Sequence, residues 1–145
     1  MEEHRIILTS FGIFEKDLLE RLAKDVSNEI HRPVSVEVSH LDLNPFYSPG
    51  RRQYDANKLL NQISADALPD PVKTLGLFRV DLFIPVLTYI FGQAMLGGHT
   101  GIASAYRLKN ELYGLKMDNE LMTQRFSKEV IHELGHTFGL IHCHI

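Results

Sequence analysis

The segment His132 to His142, HELGHTFGLIH, constrains the fold of this chain more than any other. Three histidines, one carboxylate and one glycine stand at HExxHxxGxxH spacing, which dictates a local shape. A helix turns about 100° per residue, so residues four apart share a face. His132 and His136 can therefore offer ring nitrogens to one ion, with Glu133 beside them in reach of a metal-bound water. His142 follows His136 by six residues, about 240° further round a continuous helix. The helix must end between them. Gly139 is the expected turn, because glycine takes positive φ at little steric cost and commonly closes helices. His142 then approaches from a second direction, and three neutral imidazoles plus one water make a four-coordinate zinc with an open position.

The residues before the motif agree with a helix. Phe126, Val130, Leu134 and Phe138 recur every four positions as an apolar stripe, with His132 on the other side. Asp118 or Asn119 is placed to cap it, and it should run to about Leu140. With the 8 histidines present, a shuffled chain would hold HExxH about 0.03 times, whereas adding Gly139 and His142 lowers this to roughly one in ten thousand. The long motif is therefore not a coincidence of composition.

Upstream, Arg5 to Ser10 reads as a buried strand, Phe14 to His31 as a helix with Leu18, Leu22, Val26 and Ile30 on one face, and Val34 to Ser39 as a second strand. That order predicts a βαβ unit with a parallel pair. Leu43 to Arg52 reads as a loop and Gln53 to Leu68 as a second helix stopped by Pro69. Thr74 to Ile84 reads as a third strand, Tyr89 to Leu96 as a fourth and Gly101 to Leu108 as a fifth, the last two forming a loose hairpin about Gly97-Gly98. The expected class is α/β (α+β), zincin-like: a twisted mixed sheet of about five strands, a backing helix and a metal-binding helix. The sheet would form the upper wall of a cleft. Phe91, Gly92, Gln93, Ala94, Met95 and Leu96 are the candidate edge strand for an extended peptide, with a plain sheet strand as the alternative.

A length of 145 residues suits one domain. The net charge of −3, without a basic block, points away from nucleic acid. Leu82 to Leu87 is the longest apolar stretch and contains Pro85, so no membrane span is expected. The charged Met1–Arg5 start lacks a signal-like apolar run, and the single cysteine excludes an internal disulfide. Both point to the cytoplasm.

The extended motif resembles the metzincin metallopeptidases, and more closely the archaemetzincins, through His132, Glu133, His136, Gly139 and Cys143, with His142 in the third-ligand place. Arg51 to Leu60 (RRQYDANKLL) and Val80 to Gly98 (VDLFIP and YIFGQAMLGG) are also similar to family segments. The resemblance implies a zinc-dependent peptidase acting on peptide or protein substrates, with His132, His136 and His142 as ligands and Glu133 as general base. It further implies a second, structural zinc on four cysteines, of which Cys143 would be the first; the other three are absent here, as is a methionine for the Met-turn. The expectation is a single catalytic domain, residues 1–145, comprising the upper subdomain and active-site helix and lacking most of a lower C-terminal subdomain. A zinc-binding form with weak or no turnover is the alternative to an active peptidase. Oligomeric state stays open, with a dimer through uncovered apolar surface as one outcome.

Other polar residues have simpler accounts. Glu129, one turn before His132, could orient a ligand, but a solvated helix carboxylate is the plainer expectation. Arg51 and Arg52 read as a solvated basic pair and His144 as a terminal residue beside the site.

Overall fold

The structure is a computed structural model, and it describes residues 5–139. Strand β1 (Arg5–Phe11), helix α1 (Lys16–Ile30) and strand β2 (Val34–Ser39) form the expected parallel unit, with Ile6 opposite Val34 and Ser10 opposite Val38. α1 buries Leu18, Leu22 and Val26, and His31 closes it in the left-handed conformation, its N–H donating to Ser27 O at 2.9 Å. The chain continues through β3 (Tyr47–Ser48), β4 (Gln53–Asp55), α2 (Ala56–Asp66), β5 (Val72–Phe78), β6 (Leu82–Phe83), β7 (Gly92–Ala94) and β8 (Thr100–Ser104) to α3 (Asn119–Thr137).

The main sheet has five strands in the order β2-β1-β5-β8-β7. All neighbours are parallel except β7, which runs antiparallel to β8 at one edge. The expected mixed five-stranded sheet with a backing helix is present. α1 and α3 cover one face, where Leu22 and Val26 meet Leu8, Leu75, Leu77, Phe126, Val130 and Leu134. α2 covers part of the other, with Leu59, Leu60 and Ile63 against Phe78 and Ile102. Each large side chain buried in this way contributes about 1.5–3 kcal/mol. Ser127 Oγ, donating to Asp25 Oδ2 at 2.7 Å, ties α3 to α1.

Five elements depart from the sequence-based expectation. The strand expected over Thr74 to Ile84 is two strands in two sheets. β5 ends at Phe78, and β6 joins a small sheet in the order β3-β4-β6. The cause is Asp81, which is 9% exposed and takes a two-pronged contact from Arg107 at 2.7 and 2.9 Å, with Gln53 Nε2 at 3.1 Å. A buried carboxylate needs such partners, and reaching them turns the chain out of the main sheet. The helix expected from Gln53 begins at Ala56, because Gln53–Asp55 pairs with β3 and β6. Asp55 caps it by accepting from Lys58 N at 3.1 Å. The loop expected over Leu43 to Arg52 contains a 3-10 turn, Asn44–Phe46, and the edge strand β3. Arg51 there is not merely solvated: it donates to Thr88 O at 3.3 Å and lies 4.2 Å over the Phe83 ring. Finally, the fourth strand shrinks to Gly92–Ala94, and the fifth stops at Ser104, before a 3-10 turn at Tyr106–Leu108.

Candidate metal centre

α3 presents the site. Asp118 starts it by accepting from Leu121 N at 2.9 Å, a cap worth about 1 kcal/mol. Phe126, Val130 and Leu134 are fully buried on the inward face, and Phe138 packs on the same core. His132, Glu133 and His136 occupy the face turned to the cleft, their ligand atoms all within 4.8 Å of one another. The helix closes where Gly139, at φ +90°, donates its N–H to His136 O at 2.9 Å. Gly139 is thus the turn expected from its place in the motif. His142, Cys143 and His144 lie outside the described residues.

The two imidazoles converge. Nε2 of His132 and Nε2 of His136 are 3.1 Å apart, with their rings nearly perpendicular. Tetrahedral zinc with bonds of about 2.0–2.1 Å holds two nitrogens about 3.3–3.4 Å apart, so the pair is within a few tenths of an ångström of zinc geometry. Two imidazole nitrogens beside a carboxylate are also a donor set zinc accepts. The residues present fit the metal.

Glu133 is 4% exposed. Burial pushes its carboxyl up to about 10, helped by a hydrogen bond and like charge from Glu129. Glu129 is therefore not the solvated carboxylate expected. It pairs with Glu133, four residues on and on the same helical face. That spacing was visible in the sequence. A divalent cation at the histidines would favour the ionised form of Glu133 and oppose this upward shift.

Facing α3 is β7. The cleft between them, about 690 Å³ including its open mouth, is lined by Gly92, Gln93, Ala94, Leu96, His132, Glu133 and His136. Phe91 O accepts from Ser104 N at 2.8 Å, and Met95 N donates to Thr100 O at 3.0 Å. Alternation along an antiparallel pair then turns the main-chain groups of Gly92 and Ala94 to the open edge. Of the six residues expected to form that edge, the middle three are strand, Phe91 and Met95 extend its hydrogen bonding, and Leu96 lies in the turn, 58% exposed. Gly92 is required by close approach: a Cβ there would sit 2.5 Å from Ile102 O and 3.0 Å from Glu133 Cγ. Its place in the candidate strand gave a signal for this, since an isolated strand glycine marks such a contact. Lys73, buried beneath the helix end, gave none, lying just outside the expected strand.

A family model for peptidase family M54 matches residues 14–145. The archaemetzincin of Thermococcus kodakarensis is 38% identical over 144 residues, covering 95% of this chain and 77% of that protein. That of Pyrococcus abyssi is 36% identical, with the same coverage, 95% and 77%. Among solved structures, a zinc-dependent peptidase from Methanocorpusculum labreanum matches with a TM-score of 0.85 at 28% identity, over 95% of this chain and 83% of that one. The archaemetzincin of Archaeoglobus fulgidus matches at 0.78 with 30% identity, over 97% and 82%. Fold and histidine pair together define the class, that of the zinc-dependent peptidases. Within it, this chain belongs to peptidase family M54, the archaemetzincins.

Proposed function

We propose that the chain hydrolyses peptide bonds with one zinc held by His132, His136 and His142 and with Glu133 as general base. The observation that carries this is the 3.1 Å approach of the two Nε2 atoms beside a buried carboxyl, beneath an open strand edge. When bound, zinc supplies Lewis-acid polarisation of a carbonyl and acidifies water to a pKa of about 7. β7 holds an extended peptide by strand addition, using the outward groups of Gly92 and Ala94. The Glu133 carboxylate takes the proton of the attacking water and returns it to the leaving amine. Burial of Glu133 keeps bulk water from competing for that proton. Cys143 remains a proposed ligand of a second, structural zinc. Among the described residues no helix is long and apolar enough to cross a membrane; a reducing compartment such as the cytoplasm fits the single cysteine.

Elemental analysis of chelator-free protein and a peptide-library assay test this together. The expected outcome is about one tightly bound catalytic zinc, lost in His142→Ala, and turnover that Glu133→Gln abolishes while keeping the metal. Full turnover in Glu133→Gln would remove Glu133 from its role. Zinc without turnover on any peptide would favour the alternative, a zinc-binding but catalytically weak form.

A further inference from the structure

Lys73 opens β5 on the same face as Leu75 and Leu77, beneath the end of α3, and its side chain is 5% exposed. A buried lysine is tolerated only when its donors are met. Here all three are: Nζ donates to Asp70 Oδ1 at 3.0 Å, Gly98 O at 2.7 Å and Thr137 O at 3.0 Å. The Phe138 ring lies 5.1 Å away. Two of those acceptors belong to the elements that form the cleft. Thr137 is the last residue of α3 and follows His136 directly. Gly98 lies in the turn between β7 and β8.

The same two elements share a second bond, from Gly97 N to His136 O at 2.9 Å. The strand turn is thus joined to two successive carbonyls at the helix end, one directly and one through the ammonium. The last carbonyls of a helix otherwise have no partner in the helix, and a cation there also suits the helix dipole. This junction lies where the turn of the edge strand meets the end of α3.

We propose that Lys73 is a positioning residue of the metal centre. It locks the last turn of α3 onto the β7–β8 turn, and so sets the direction of His136 relative to the edge strand. Lys73 is not among the residues that line the cleft. The inference rests on the metal site proposed above, and the unsubstituted chain tests that site separately: if it binds no zinc, the site fails, whereas a difference between variants bears on Lys73 alone.

The experiment compares Lys73→Met with Ile63→Ala, a core substitution in α2 on the face of the sheet opposite α3. Zinc affinity is read by chelator competition, and ligand geometry by the visible spectrum of the cobalt-substituted protein. Lys73→Met should bind zinc about 10–100-fold more weakly, as losses behind a ligand shell do, and should change the cobalt spectrum. Ile63→Ala should leave both unchanged at a comparable loss of Tm. If Lys73→Met does not fold, Lys73→Gln replaces it under the same readouts. In the unsubstituted chain, zinc should slow hydrogen exchange of the Gly97 amide by about tenfold or more, because that amide bonds to the ligand-bearing turn. Wild-type affinity and spectrum in Lys73→Met, an equal effect from Ile63→Ala, or a Gly97 amide indifferent to zinc would each overturn the proposal.

Discussion

Gly92→Ala adds one methyl group where β7 crosses α3. The new Cβ would lie 2.5 Å from Ile102 O, 3.0 Å from Glu129 Oε1 and 3.0 Å from Glu133 Cγ. Comfortable carbon contacts begin at about 3.5 Å, so the overlap is about 0.5–1 Å on three sides. Only one neighbour yields easily. The Glu129 carboxylate can swing aside, whereas Ile102 O is main chain of β8, in the sheet interior, and Glu133 is buried on a packed helix. Overpacking of this kind costs about 1–3 kcal/mol, and with main chain as the obstacle the upper half of that range is expected. At about 2–5 °C per kcal/mol for a chain of this size, Tm should fall by about 4–15 °C. The strand should also move away from Glu133, lowering kcat/KM on peptides. Gly50→Ala is the matched control, since nothing lies within 4 Å of its Cβ position; it should stay within about 0.5 kcal/mol of the parent. Thermal unfolding followed by circular dichroism, with and without zinc, measures the first effect, and peptide hydrolysis the second. A Tm for Gly92→Ala matching that of Gly50→Ala would refute the close-packing account of this glycine.

Three further outcomes follow from the site and its helix. In metal-free protein, Glu133 holds its proton up to about 10, against 4.5 for an unperturbed carboxyl. Its contribution to stability is therefore complete below the lower value and is lost as pH rises toward the higher. Glu133→Gln cannot ionise, so it should gain on the parent between about pH 5 and about pH 9 in urea titrations with chelator present; parallel curves would contradict the buried-carboxyl account. Because zinc favours the ionised carboxylate, binding near neutral pH should release protons, seen calorimetrically as a heat that depends on the buffer. Asp118→Ala removes the α3 cap and should cost about 1 kcal/mol without changing zinc affinity; an affinity loss matching Lys73→Met would mean that any weakening of α3 disturbs the site.

Several parts of this architecture are readable residue by residue. The β1-α1-β2 unit follows from apolar runs and the four-residue spacing of Leu18, Leu22 and Val26, and the hairpin from Gly97-Gly98. Other parts are hidden because their partners are distant in the chain. Nothing near Asp81 reveals that Arg107, 26 residues later, will pair with it and end β5. Gln53 has helical neighbours, yet its amide is drawn to Asp81 and to Thr88 O at 2.8 Å, so it is strand.

Local pattern in the chain was enough for the helix of the candidate metal centre, the shared face of His132 and His136, and the turn at Gly139. Each depends on helical period or on one residue's φ, both local properties of the chain. What surrounds them came from packing between distant segments: the bond from Lys73 to Thr137 O across 64 positions, the close approach of Gly92 to Glu133, and the burial that lifts the Glu133 carboxyl. These depend on desolvation and on donors meeting acceptors from separate elements, conditions that exist only once the sheet has brought those elements together.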